Sequence, residues 1–409
     1  WAQDFQSRGH SLTNDPDMAD MLIVNTCAVT QEAVRKSRQL LRRTHRYNPR
    51  AKLVVSGCYS SLDKKTVQDI EGIDLIVDNQ DKDNLVEIVL RELPTESMPS
   101  LLTQPGELPL FSRGRNRAFI KIQDGCRYQC TFCIVTIARG KERSRTIGDI
   151  VHEISRLSGQ GVQEAVLTGV HVGGYGSDTG TNLYDLIQAI LNDTDIPRLR
   201  LASVESWDLP DHFFDLFRNP RLMPHIHLPL QCGSDSVLKR MGRRCMTGDY
   251  EKLIGLLRSE VKDINITTDI IVGFPGETEN DWHESLEFIE KTGFPHIHIF
   301  TYSARPGTKA ADLPKQVSSS IKKQRSSQLH ALARQMRLDY LNDQIGRQYP
   351  VLWETTNQKE TDGDYTGFTP NYIRVELTDT SDAVKENNIN TVSITGISKS
   401  GETATAELR

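Results

Sequence analysis

Between Ala118 and about Thr301 the sequence repeats one pattern: short apolar runs near Phe119, Val166, Leu199, Ile226, Ile270 and Ile299, most of them separated by stretches of helical period. Strands joined through helices must pair in parallel with right-handed crossovers, so the pattern predicts an open or partial β/α barrel. A long helical stretch from Val317 to about Gln344 ends this region.

The flanks differ in texture. From Trp1 to about Leu93, Met21 to Asn25 and Lys52 to Ser56 predict buried strands and Glu32 to Tyr47 a helix, the pattern of a small parallel α/β sheet. Pro94, Pro99, Pro105 and Pro109 lie among Ser, Thr and Gly without period, so 94–115 reads as a linker. After Gly346 come short alternating runs, Tyr349 to Glu354, Tyr372 to Leu377 and Thr391 to Ile397, broken by turn residues; they predict a small antiparallel barrel. The expected domains are therefore 1–93, 116–345 and 346–409. No stretch approaches the roughly 20 apolar residues of a spanning helix, and the start lacks a basic-then-apolar leader, so a cytoplasmic location is expected.

The segment Gly125-Cys126-Arg127-Tyr128-Gln129-Cys130-Thr131-Phe132-Cys133 places three of the seven cysteines on one loop after the first barrel strand. An odd, clustered set suits a metal site in a reducing compartment better than a disulfide framework. Three thiolates on a tight loop can hold three irons of a cubane cluster and leave the fourth open, a position that the amino and carboxylate groups of S-adenosylmethionine can fill. One electron passed to the sulfonium then yields a 5′-deoxyadenosyl radical. The competing reading is structural zinc, which usually takes four ligands, often as two Cys-x-x-Cys pairs; no second pair is present.

CxxxCxxC at the end of a first barrel strand, with the aromatic Phe132 before the last cysteine, resembles the radical-SAM superfamily. Several further stretches are similar to its methylthiotransferases: Ala138 to Arg145, Leu167-Thr168-Gly169-Val170-His171, His227-Leu228-Pro229-Leu230-Gln231, Asp269 to Glu277 and Tyr302 to Thr308. Within that family, Gln123 to Cys126, Ser203-Val204-Glu205 and Gly173 to Gly176 look most like the branch acting on threonylcarbamoyladenosine in tRNA; the isopentenyladenosine and ribosomal-protein aspartate branches are similar.

The resemblance implies a flavodoxin-like amino-terminal domain, a partial (β/α)6 TIM-type radical-SAM barrel and a terminal TRAM barrel. It implies a transferase that inserts a 2-methylthio group at C2 of N6-threonylcarbamoyladenosine beside the anticodon, using two 4Fe-4S clusters, S-adenosylmethionine and a flavodoxin- or ferredoxin-type electron donor. The first cluster would rest on Cys126, Cys130 and Cys133. The second, which carries the donated sulfur, would rest on Cys27 and Cys58, each at the carboxyl end of a predicted strand, where open α/β sheets gather ligands. The family's third ligand for it lies on an upstream loop, so either the domain's first segment precedes Trp1 or the second cluster is not fully held here. Cys232 and Cys245 are expected to be incidental.

Cofactor contacts are expected from Phe132, Gly169, Gly173, Gly174, Ser203, Glu205, Gln231 and Gly273, glycine because no Cβ intrudes and the polar side chains for ribose or methionine groups. A formal net charge of -5 gives no global pull toward nucleic acid. Two local stripes do: Arg35, Lys36, Arg38, Arg42, Arg43, Arg46 and Arg50 on or after the first helix, and Lys322, Lys323, Arg325, Arg334 and Arg337 on the late one. Phe368, Tyr372 and Arg374 are candidates for stacking on unpaired tRNA bases, and Arg143 or Arg305 for pairing with the substrate carboxylate. The other readings are a methylthiotransferase acting on isopentenyladenosine and a radical-SAM enzyme acting on a protein side chain.

Overall fold

Apolar alternation organises the amino-terminal sheet. After helix α1 (Ala2–Ser7), strands β1 (Met21–Thr26), β2 (Lys52–Gly57) and β3 (Ile73–Val77) pair in parallel in that order, Met21 opposite Lys52 and Leu53 opposite Ile73. Leu53 and Val55 face one core with Leu41 of α2 (Gln31–Tyr47), Tyr59 of α3 (Cys58–Leu62) and Val67 of α4 (Lys64–Gln68). Val54 turns to the other core, against Val86 and Val89 of α5 (Leu85–Glu92). Thr30 caps α2 by accepting from the Ala33 N–H, and Asn48 before Pro49 ends it. In this computed structural model the described residues are 1–93, 117–210, 212–354, 365–377 and 384–409, so the expected linker at 94–115 lies outside them.

The chain divides into two units. The first joins the described part of residues 1–110 to Gly125–Lys141, which carries α6 (Val135–Arg139), and to Ser303–Ala311. Inside it, Ala138 of α6 enters the same core as Cys58 and Tyr59.

The second unit holds the six expected barrel strands. These are β4 (Arg117–Lys121), β7 (Glu164–Thr168), β8 (Arg198–Leu201), β9 (His225–His227), β10 (Asn265–Val272) and β11 (His296–Thr301). A two-residue ribbon, β5 (Gln123–Asp124) with β6 (Arg143–Ser144), follows β4. The order β4-β7-β8 continues through single bridges, Leu199 to Leu222 and Ser203 to His227, into β9-β10-β11, all parallel. Helices α7 (Ile147–Gly159), α8 (Leu183–Asp193), α9 (Asp235–Met241), α10 (Thr247–Glu260) and α11 (Glu279–Thr292) alternate with them, and α12 (Ser319–Asn342) follows. Ile120, Leu167, Leu199, Ile226 and Ile270 pack toward the helices.

The opposite face of the strands is polar. Glu164 on β7 sits in register with Arg117 on β4 and Arg198 on β8. Arg200 grips Glu164 at 2.8 and 3.1 Å, and Arg198 lies 3.9 Å away; none of the three side chains is more than 4% exposed. Burial alone would raise the Glu164 pKa, but Arg200 and its neighbours hold it below the ordinary value.

The carboxy-terminal strands β12 (Gln348–Glu354), β13 (Thr366–Phe368), β14 (Arg374–Leu377), β15 (Ile389–Ile397) and β16 (Ala404–Leu408) close into a barrel. It is not wholly antiparallel as expected, since β14 runs parallel to β16. This barrel docks on the amino ends of the β/α strands. Arg198 donates to the Phe368 and Pro350 carbonyls at 3.0 and 2.6 Å, Arg200 to Pro370 at 3.0 Å, and Asn265 to Asn371 at 2.7 Å.

Glu164→Ala would leave two arginines buried without their carboxylate. It is expected to destabilise the protein by about 3–5 kcal/mol, read as a lowered urea midpoint, while replacing Glu164 and Arg200 together by apolar residues of similar size should recover most of the loss. A single variant within about 0.5 kcal/mol of the parent would show the network to carry no weight.

Candidate active site

The three-cysteine loop is shaped by its backbone. Gly125 has φ +75°, and a Cβ there would lie 1.9 Å from the Lys141 carbonyl oxygen. The Cys126 N–H donates to the Gly140 carbonyl at 3.1 Å, tying the two ends of the loop, and the Cys133 N–H donates to Cys130 at 3.0 Å. The Tyr128 N–H donates to Cys126 Sγ at 3.4 Å. The thiols Cys126, Cys130 and Cys133 are half-buried, as is Phe132 among them. Three thiols on one loop, one already receiving an N–H, form a donor set that fits an iron–sulfur cluster.

In the same unit Cys27 follows β1 and Cys58 opens α3, both free. Ser37 on α2 clamps the Cys27 backbone, accepting from its N–H at 3.1 Å and donating to its carbonyl at 3.2 Å. Arg139, the last residue of α6, donates its Nε–H to Cys58 Sγ at 3.3 Å. The helix leaving the three-cysteine loop thus ends against the second cysteine set. Gln31 reaches the Ala304 carbonyl at 3.4 Å, and the Ala310 N–H donates to the Thr131 carbonyl at 2.8 Å, so the segment Ser303–Ala311 runs from the start of α2 to the cysteine loop. Arg305 within it is buried.

In the other unit the expected cofactor residues gather past the carboxyl ends of the barrel strands. Gln231 is held in the left-handed region at φ +77°, a conformation that a non-glycine residue keeps only where its surroundings impose it. Ser203 is exposed after β8. Glu205 is bound by Arg243 at 2.6 and 3.2 Å, with the guanidinium over the Trp207 ring. At four of the glycines the chain itself is a close neighbour. A Cβ would meet Gln123 at Gly169, Asp208 at Gly173, His171 at Gly174 and Lys322 at Gly273. Cys232 and Cys245, expected to be incidental, are buried in the barrel; burial pushes the Cys232 thiol up to about 12 and raises Cys245 too.

Two polar groups escaped sequence reasoning. His171, 2% exposed, is held between Glu142 at 2.5 Å and Asp208 at 2.7 Å. On the inner face of the strands, His227, Asp269 and His298 bring two imidazoles and a carboxylate within 4.8 Å of one another, donors of a kind that hold metals. Their signal was a polar residue at every second position of β9 to β11, visible only once the strand register is known.

Comparison with known proteins agrees with this geometry. The radical SAM superfamily model matches residues 120–289, and an uncharacterised family model, UPF0004, matches residues 1–78. The chain is 33% identical over 392 residues to threonylcarbamoyladenosine tRNA methylthiotransferase MtaB of Bacillus subtilis, covering 93% of this chain and 87% of that protein. It belongs to the radical-SAM methylthiotransferase family. It is also 32% identical to a tRNA-2-methylthio-N(6)-dimethylallyladenosine synthase of Staphylococcus haemolyticus, over 89% of this chain and 73% of that one. Among solved structures, the radical S-adenosylmethionine methyltransferase TsrM of Kitasatospora setae shares the fold at TM-score 0.55 and 15% identity, over 87% and 70% of the two chains.

The expected RNA contacts of this methylthiotransferase fare unequally. On α2, Arg42, Arg43, Arg46 and, beyond it, Arg50 are exposed; Arg35 spends its charge on Glu32 at 2.6 Å. The stripe on α12 dissolves. Arg325 is buried against Glu277 and Glu279, Arg337 bonds His296 and Glu402, and Lys322 packs on Tyr302, leaving Lys323 and Arg334 exposed. The rings expected to stack on bases are also engaged within the protein. Phe368 and Tyr372 stack at 4.8 Å under Arg117, while Arg200 and His225 lie 4.6 Å from Tyr372. Arg374 and Arg143 are exposed.

Burial alone would lower the His171 pKa, but hydrogen bonds to Asp208 and Glu142 outweigh it and the value is raised. A raised folded pKa means that this contribution is complete below the unfolded value of about 6.5 and is lost as pH rises through the folded one. Relative to His171→Gln, the methylthiotransferase is therefore expected to lose stability as pH rises above the unfolded imidazole value of about 6.5 and through the raised folded one, read from urea midpoints. Parallel pH dependences would assign the imidazole no such charge.

Proposed function

We infer that this methylthiotransferase inserts a 2-methylthio group at C2 of N6-threonylcarbamoyladenosine beside the tRNA anticodon. The observation that carries the reading is the meeting of two cysteine sets in one unit, Arg139 at the end of α6 touching Cys58 at 3.3 Å. Sulfur insertion needs a second sulfur-bearing site beside the one that activates the cofactor, and Cys27 and Cys58 at strand ends are suited to supply it. Two 4Fe-4S clusters and S-adenosylmethionine are its cofactors.

Cys126, Cys130 and Cys133 would hold the cluster that, when bound, supplies the electron for reductive cleavage of S-adenosylmethionine. Cys27 and Cys58 would hold the second. Phe132 borders the first, while Ser203, Glu205 and Gln231 offer hydroxyl, carboxylate and amide to the amino-acid and ribose groups of the cofactor. Gly169, Gly173, Gly174 and Gly273 support that edge by letting the chain pack on itself. Arg143, exposed on β6, is the cation suited to the carboxylate of threonylcarbamoyladenosine, a group that an apolar prenyl chain does not offer. Arg42, Arg43 and Arg46, with Arg374, supply phosphate contacts. We read the amino-terminal sheet as a flavodoxin-like domain and the terminal barrel as a TRAM module, with a flavodoxin- or ferredoxin-type protein as electron donor and the cytoplasm as location. No helix among the described residues is long and apolar enough to cross a membrane.

Mass spectrometry of tRNA nucleosides from cells lacking and regaining the gene tests the reaction. Restored methylthiolation of threonylcarbamoyladenosine is expected; restoration on isopentenyladenosine instead would transfer the enzyme to the other branch. Ala at Cys126, Cys130 or Cys133 should abolish 5′-deoxyadenosine formation under anaerobic reduction, and a triple variant that still forms it would refute the cluster assignment. Charge reversal at Arg42, Arg43 and Arg46 should flatten the salt dependence of tRNA binding, each lost contact reducing the slope of log affinity against log salt by about 0.9 for duplex or about 0.7 for single strands. Equal slopes would make that helix face merely solvated.

A further inference from the structure

We propose that Arg305 is the cation of the Cys27 and Cys58 site, donating its unused N–H groups to anionic sulfur held there. The proposal rests on the reading of those cysteines as ligands of the sulfur-donating cluster.

Five arginines of the described residues are buried to 9% exposure or less: Arg198, Arg200, Arg243, Arg305 and Arg325. Four have a carboxylate, Glu164 for the first two, Glu205 for Arg243 and Glu277 for Arg325. Arg305 has none among the described residues, and its Nε has no hydrogen-bond partner. A guanidinium removed from water without an anion is costly, and an anion that arrives with a ligand would offset that cost.

Position says which ligand. Ser303–Ala311 is fastened at one end to Gln31, four residues beyond Cys27, and at the other to Thr131, between Cys130 and Cys133. Arg305 follows directly on Ala304, the Cys27 end of that strap. Its guanidinium interacts electrostatically with Cys27. Arg139 donates to Cys58 from the other side. Two arginines thus face two cysteines, the environment of an anionic sulfur centre, whose reduction potential depends on net charge and on hydrogen bonds to its sulfurs.

The test isolates this site in a Cys126, Cys130 and Cys133→Ala background of the full chain, reconstituted with iron and sulfide. Midpoint potential is followed by electron paramagnetic resonance in Arg305→Met and Arg305→Lys. The Met variant is expected to shift the reduction equilibrium toward the oxidised state at least tenfold, about 59 mV for a one-electron couple, while Lys keeps most of the parent value. Without iron, the Met variant should melt no lower than its parent, because it removes an uncompensated buried charge; a residue with a purely structural role would lower it. An unchanged potential overturns the proposal. If that comes with weakened binding of tRNA bearing threonylcarbamoyladenosine but not of unmodified tRNA, Arg305 belongs to the substrate carboxylate instead. A parent that binds no iron in this background would overturn the proposal together with the reading on which it rests, a result distinct from an iron-loaded parent with an indifferent Arg305.

Discussion

The buried contact of Glu164 with Arg198 and Arg200 gives the second unit its polarity. Parallel strands have two unlike edges, and each must be closed by something. At the amino edge two arginines on alternate positions of β8 can be desolvated only because one carboxylate on β7 and four carbonyls of the terminal barrel share their N–H groups. Pairing and docking are therefore one event. The terminal barrel closes the amino edge, and Ser203, Glu205 and Gln231 stand at the carboxyl edge, where parallel barrels place their chemistry.

The first unit meets a different demand, that of holding thiols in place without a regular element. Its loop is closed by backbone contacts, Cys126 to Gly140 and Cys133 to Cys130, and the helix that follows buries Ala138 in the core shared with Cys58. The geometry of one cysteine set is thereby linked to that of the other through α6. A glycine at 125 is required because no side chain fits between the loop and the Lys141 carbonyl.

Much of this was legible in the residues. The periods of 2 and 3.6 located six barrel strands, α2 and α12 to within a few residues, since apolar burial on one face decides them. The cysteine spacing pointed to the cluster loop, because chemistry of that kind tolerates few spacings. What failed shares a cause: charge and aromaticity carry no address. Arg325 and Arg337 look like phosphate ligands along a helix, yet their partners, Glu277 and Glu402, are 48 and 65 positions away by subtraction of residue numbers. Phe368 and Tyr372 look like a stacking platform, yet β4 and β8 bring Arg117 and Arg200 onto them. The Glu142–His171–Asp208 group was invisible for the same reason. In Arg198-Leu199-Arg200-Leu201 the alternation itself was the overlooked signal, because a buried strand with arginines at alternate positions must hide their carboxylates elsewhere.

That accounting separates arginines that hold the fold from those available to a ligand. A buried guanidinium whose N–H groups all meet carboxylates and carbonyls has its function inside the chain, and its removal is felt as lost stability. One that is equally dry but unmatched destabilises the empty protein, and its retention makes sense only if folding is completed by something anionic. Exposed arginines are uninformative on either count, because water matches them. The five dry arginines among the described residues fall four to one by that criterion, and the one left over lies on the strap between the two cysteine sets. Two independent constraints, the desolvation of a cation and the gathering of thiols, thus meet in a single unit.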